Sequence, residues 1–176
     1  MISSLFGLRS PARERSAGQA LVEFALVAPM LFLVVLGIIE AGRFIFHSEI
    51  LNNAAREGAR YAIVHGADAT CPSGPAPFGG VNACDPNGDN VKTAVHEATL
   101  ELAGLGEMIV HEPVWTSRAT PANPSPGDSS TGTNARGEYV TVFLDFTYKP
   151  MVAYAFDVGV LPEIQISAES TLVINY

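Results

Sequence analysis

At 176 residues the chain is long enough for one domain with a modest core and too short for two full ones. Charged residues make up 16% and apolar ones 48%, a balance that excludes a wholly disordered chain. The net charge of −8 excludes a nucleic-acid binder, because counterion release needs a basic surface.

Residues 1–18, MISSLFGLRSPARERSAG, hold Arg9, Arg13 and Arg15 and read as a leader, with Pro11 discouraging a continuous helix. Residues 19–39, QALVEFALVAPMLFLVVLGII, follow with Glu23 as the one charge. That is about the ~20 residues that cross a hydrocarbon core of ~30 Å. A transmembrane helix is expected over 19–42. The upstream arginines put the N-terminus in the cytoplasm and the rest outside, although Arg43, Arg56 and Arg60 reduce the asymmetry. A conventional cleaved secretory signal fits less well, since the apolar run is too long and no A-x-A-like site follows it.

Helix formers continue without proline beyond Met30, so residues 43–65 are expected to extend the same helix outside the membrane. From Gln19 to Val64 the rod would measure roughly 70 Å, more than twice the bilayer core. In its outer half Phe44, Leu51, Ala55, Gly58 and Ala62 share one face and Arg56, Glu57 and Arg60 another, which marks an amphipathic helix with one side to bury. Small residues recur at four-residue spacing, Gly37 with Ala41 and Ala54 with Gly58 and Ala62. That spacing either lets another element approach closely or reflects alanine's helix propensity alone.

Residues 66–176 are expected to form an extracytoplasmic α+β domain. Residues 66–90 are rich in Gly, Pro, Asn and Asp and must be loop. Cys71 and Cys84 read as a disulfide closing that loop, stabilising by about 3 kcal/mol, with two free thiols as the alternative. Asp89 or Asn90 is expected to cap a second helix, on which Val91, Ala94, Val95, Ala98 and Leu102 share a face and which Gly104 ends. Residues 108–115 are a strand weakened by Pro113 and suited to an edge. Residues 138–148 and 164–175 alternate cleanly and predict two half-buried antiparallel strands, with Val140, Val142, Leu144, Phe146 and Tyr148 facing one core and Ile164, Ile166, Ala168, Leu172 and Ile174 the same. The Pro- and Ser-rich segment 116–137 predicts a mobile loop.

No catalytic residue, metal or cofactor is expected. His47, His65, His96 and His111 are scattered with no paired carboxylate or nucleophile motif. Asp85 to Asn90, DPNGDN, departs from a calcium loop in the place of its glycine and reads as a turn and helix cap. Glu23 stands apart, because an ionisable group inside an apolar span costs about 2.5 to 3.5 kcal/mol at mid-membrane. It either snorkels to the headgroups, sits protonated, or has a purpose.

Gly18 followed by QALVEF resembles the class III signal sequence of type IV pilin-like proteins. More closely, GQALVEFALVAPMLFLVVLGIIEAGR with the downstream NAAREGAR resembles the TadE-like family, minor pilins or pseudopilins of tight-adherence (type IVc) pili. The match spans roughly residues 17–62. The resemblance implies a pilin-like α+β fold, cleavage by a prepilin peptidase between Gly18 and Gln19, and recognition or assembly through Glu23 and Phe24. Its implied partners are other pilin or pseudopilin subunits, inner-membrane pilus assembly proteins and the membrane. Physically, cleavage would leave an ammonium on Gln19 that Glu23 can pair with, and Pro29 removes a backbone hydrogen bond and favours a helix kink. One departure is Gln19 as first mature residue, since glutamine can cyclise and lose its amine. Two rivals remain at this point: an uncleaved single-pass envelope protein that binds a partner through its acidic ectodomain, and a secreted calcium-dependent adhesive module.

Overall fold

The structure, a computed structural model, describes residues 12–82, 84–102, 105–119, 123–151 and 163–175. Residues 1–11 of the expected leader, with Pro11, and the expected helix stop Gly104 lie outside these. The chain divides between Ala41 and Gly42 into two units.

Helix α1 spans Ala12–Val64 and crosses that division, with Pro29 inside it. It therefore begins within the expected leader. In the N-terminal unit the described residues are helix alone, and Leu21, Val22, Phe24, Leu26, Met30 and Phe32 are all exposed. Among the described residues α1 is the one helix long and apolar enough to cross a membrane, and no part of its apolar window is buried by the rest of the chain.

The C-terminal unit packs the outer turns of α1, helix α2 (Asp89–Ala98) and strands β1 (Gly106–Val110), β2 (Val114–Thr116), β3 (Tyr139–Tyr148) and β4 (Ile164–Val173) into one antiparallel α+β core. This is the arrangement expected of a pilin-like fold. Strand β3 is central. It pairs with β4 along its whole length and, on the other side, with β1 and β2 in turn. The expected strand 108–115 is thus two strands. Val110 lies opposite Leu144 and Val114 opposite Thr141, so four steps on one strand meet three on the other. The extra residue is a β-bulge, placed where Pro113 has no N–H to give to the ladder.

The predicted core faces hold, but β3 is not half-buried, since Thr141 and Phe143 on its other face are buried as well. Val140, Val142, Leu144, Phe146 and Tyr148 are buried, as are Ile166, Ala168 and Ile174, whereas Ile164 is exposed. On α1 the buried residues are His47, Leu51, Ala54, Ala55, Gly58, Ala59 and Ala62; Phe44 stands at the rim, edge-on to Tyr148 at 5.8 Å between ring centroids. Arg56, Glu57 and Arg60 face outward, the last two joined at 3.9 Å. The small-residue spacing serves close approach at Gly58, where a Cβ would run into a Val95 methyl, so α2 crosses where α1 has no side chain; at Gly37 a Cβ would meet no atom within 4 Å. On α2, Val91 and Val95 are buried but Ala98 is exposed, because the helix stops at Thr99 and a 3₁₀ turn, Leu100–Leu102, brings Leu102 to the core instead.

The loop 66–90 holds Cys71 and Cys84 in a disulfide with Cα atoms 5.5 Å apart. The α2 cap differs from expectation. Gly88 occupies the N-cap position without a side-chain bond, and the Asp85 carboxylate instead accepts from the backbone N–H groups of Asp89 at 2.6 Å and Asn90 at 3.2 Å. It also accepts from Ser73 Oγ at 2.6 Å. The segment expected to stay loose, 116–137, is tied down in its second half. Thr131 and Gly132 both donate to Trp115 O at 2.9 Å, and buried Asn134 donates from its backbone to Pro75 O at 2.8 Å and from its side chain to Ser73 O at 3.1 Å.

Candidate functional site

Apart from the disulfide pair Cys71 and Cys84, the residues singled out in the sequence lie on the apolar part of α1. Gly18 and Gln19 are in helical conformation and exposed, with no atom near the place a Gly18 side chain would occupy. One turn on, Glu23 is exposed among Leu21, Val22, Phe24, Leu26 and Val27. Its carboxylate accepts a hydrogen bond from Gln19 Nε2 at 3.1 Å. The i, i+4 spacing that suits an ammonium on Gln19 therefore already joins the glutamine's own side chain to Glu23. An amide donor satisfies one carboxylate oxygen without neutralising the charge, so the cost of placing Glu23 in hydrocarbon is only partly offset. Pro29 sits two turns further along the helix, and its missing N–H leaves the Ala25 carbonyl without its usual helical partner.

The C-terminal unit brings together one group that the sequence did not. His111 Nε2 lies 2.7 Å from Asp145 Oδ2, and Ser167 Oγ donates to Asp145 Oδ1 at 2.6 Å. His111 thus has a carboxylate partner, contrary to the expectation that the histidines are unpaired. Strand pairing across 34 residues makes it, and no short-range signal announces it. The order of the three groups differs from a Ser-His-Asp arrangement, since the carboxylate stands between hydroxyl and imidazole and accepts from both sides. Burial pushes the Asp145 carboxyl up, but the Ser167 hydrogen bond, the His111 hydrogen bond and the charge on His111 outweigh it and hold it below its ordinary value of 3.8. A carboxyl lowered by folding contributes stability above its unfolded pKa and loses it as pH falls through the folded value. Replacing Asp145→Asn is therefore expected to destabilise the protein near neutrality and to make less difference below about pH 4. Unfolding midpoints of both chains across that range check it; a gap that widens on acidification would contradict the assignment.

Among the described residues no group of three His, Cys, Asp or Glu side chains converges in a way that could hold a metal ion. Asp85, the first residue of the DPNGDN stretch, spends its oxygens on Ser73 and the start of α2.

No curated protein and no solved structure matches the chain. A family model does: residues 18–60 match the TadE-like protein family, so along the helix that carries Gly18, Gln19, Glu23, Phe24 and Pro29 the chain is similar to that family, as the motif indicates.

Proposed function

We propose that the protein is a minor pilin or pseudopilin that takes part in assembling tight-adherence (type IVc) pili and so in adhesion. The observation that carries this is the family match over 18–60 on a helix whose apolar N-terminal window the rest of the chain leaves uncovered. Such a helix fits a single-pass membrane protein, and a pilin uses the same surface twice, against lipid before assembly and against neighbouring helices after it. In this reading the N-terminus faces the cytoplasm, the C-terminal domain lies outside, and residues 1–18 are removed by a prepilin peptidase at Gly18–Gln19. Glycine in a helix costs about 1 kcal/mol relative to alanine, which eases the local unwinding that a peptidase needs. The mature chain then sits in the cytoplasmic membrane or in a surface pilus, among other pilin subunits and the inner-membrane assembly proteins.

Deleting the protein is expected to abolish or sharply reduce tight-adherence pili on the cell surface, with restoration by the full chain. Unchanged piliation and adhesion in the deletion strain would reject this reading. It would favour the uncleaved envelope protein, whose activity would lie in the acidic C-terminal unit.

A further inference from the structure

Helix α1 enters the C-terminal unit at Gly42, three residues past Ile39, where the apolar run ends. Three helical residues rise about 4.5 Å, less than the roughly 5–7 Å of headgroups on each side of a hydrocarbon core. In a chain that spans a bilayer, the first turns of this unit therefore stand at headgroup level.

One end of the sheet is tied to those same turns. The Tyr148 ring, at the end of β3, lies 5.8 Å from Phe44 and 5.3 Å from His47, and Arg43 Cζ stands 5.8 Å over it. Tyr148 is also the register partner of Gly106, where β1 starts, and of Ile164, where β4 starts. Three strand ends thus gather beside the first turns of the helix. The side chains around them are apolar and exposed: Leu105 ahead of β1, Met151 beyond β3, Ile164 on β4, and Ile45 and Phe46 on the helix. Charges are interleaved with them, Lys149 joined to Glu163 at 3.3 Å and Glu107 exposed. In sequence, the chain from Met151 to Glu163 reads VAYAFDVGVLP between the two, with Asp157 as its one charge, whereas connections that face water are rich in polar residues. Exposed apolar side chains mixed with a few charges suit the boundary between headgroups and acyl chains, which takes both.

We propose that this end of the C-terminal unit is a lipid-docking surface, with Leu105, Met151 and Ile164 inserted at the boundary of headgroups and acyl chains. The inference rests on α1 spanning a bilayer and holds for a cleaved or an uncleaved chain. Continuity decides the occupant. The helix that crosses the bilayer carries this surface to it, so the effective concentration of lipid is high and a shallow contact suffices. The contact is a second attachment besides the span, one that a subunit leaving the membrane must release.

The test uses the full chain in vesicles of phosphatidylethanolamine and phosphatidylglycerol at low protein density, with doxyl-labelled lipids as depth quenchers of tryptophan fluorescence. Natural Trp115, 1% exposed, supplies a constant background. Met151→Trp is expected to be quenched about two-fold more by labels near the headgroups than by labels at the chain ends. Val81→Trp, on the loop that follows the far end of α1, is expected to be quenched by neither. Ile164→Glu, an exposed position, is expected to cut the quenching of Met151→Trp about two-fold or more. Leu33→Trp reads the span itself and is expected to be quenched by the deep labels. Quenching at 33 without quenching at 151 would overturn the docking surface and leave the span standing; quenching at neither would overturn both. Quenching at 151 that ignores Ile164→Glu would also overturn the proposal. So would a blue shift at 151 that follows protein density and resists the lipid quenchers, since a protein neighbour would then cover the surface.

Discussion

Trp115→Ala is expected to lower the stability of the C-terminal unit by about 3–5 kcal/mol, the range for truncating a large buried ring. Trp115 is 1% exposed and joins three parts of the unit. Its backbone belongs to β2, opposite Val140. Its carbonyl receives Thr131 and Gly132, and its N–H donates to Ser130 Oγ at 3.1 Å, which fixes the second half of the segment 116–137. Its ring lies against Gly74 and Gly88 of the disulfide loop, both at positive φ, and a Cβ on Gly74 would run into the indole. Domains of this size are stable by only about 5–15 kcal/mol, so the loss is a large share of the total. Trp115→Phe is expected to cost less, since indole Nε1 finds no acceptor among the described residues and phenylalanine forfeits volume alone. Denaturant unfolding of the full chain in detergent measures both. A change under about 1 kcal/mol for Trp115→Ala would show that the two loops do not hang on this residue.

Period and composition made much of this legible. The alternation of Val140 to Tyr148 and the seam from Leu51 to Ala62 record which side of each element meets a core, because burial imposes period two on a strand and period near four on a helix. The apolar run and the QALVEF motif located the one helix among the described residues that is long and apolar enough to cross a membrane, and the carboxylate within its apolar run. Contacts made by polar loop residues were not legible. Asp85 looked like part of a turn ahead of a capping Asp89 or Asn90, yet it is Asp85 that reaches the helix start, because Gly88 at φ 74 turns the chain back over it. Asn134 and Ser130 bond across a segment whose composition alone suggested mobility, Asn82 ties down the loop 66–90, and His111 meets Asp145 only through strand register. Pairings of this kind depend on the folded path between distant positions, and a one-dimensional pattern does not contain that path.

Glu23→Ala is expected to give the largest functional effect, a loss of about ten-fold or more in surface pili with little change in the amount of protein in the membrane. The reasoning is a balance of two costs. Alanine removes an insertion penalty of up to about 2.5–3.5 kcal/mol, so the variant enters a bilayer at least as well as the natural chain. It also removes the carboxylate that Gln19 already holds at 3.1 Å and that an ammonium on Gln19 would pair with after cleavage. A charge-assisted bond in an apolar setting is worth about 1.5–3 kcal/mol, and each 1.4 kcal/mol is ten-fold in an equilibrium. Glu23→Gln keeps a hydrogen-bonding group and loses the charge, so it should fall between the two. Pili counted by microscopy, with membrane levels of the protein as control, check this. Full piliation with alanine at 23 would mean that the carboxylate is a tolerated passenger at the membrane surface.

The most direct measurement is the N-terminal sequence and intact mass of the protein from membrane and sheared-surface fractions, with and without an active prepilin peptidase. The account predicts a mature chain that begins at Gln19, or at its cyclised form, only when the peptidase is present. A chain that still carries Arg13 and Arg15 in every fraction would contradict it.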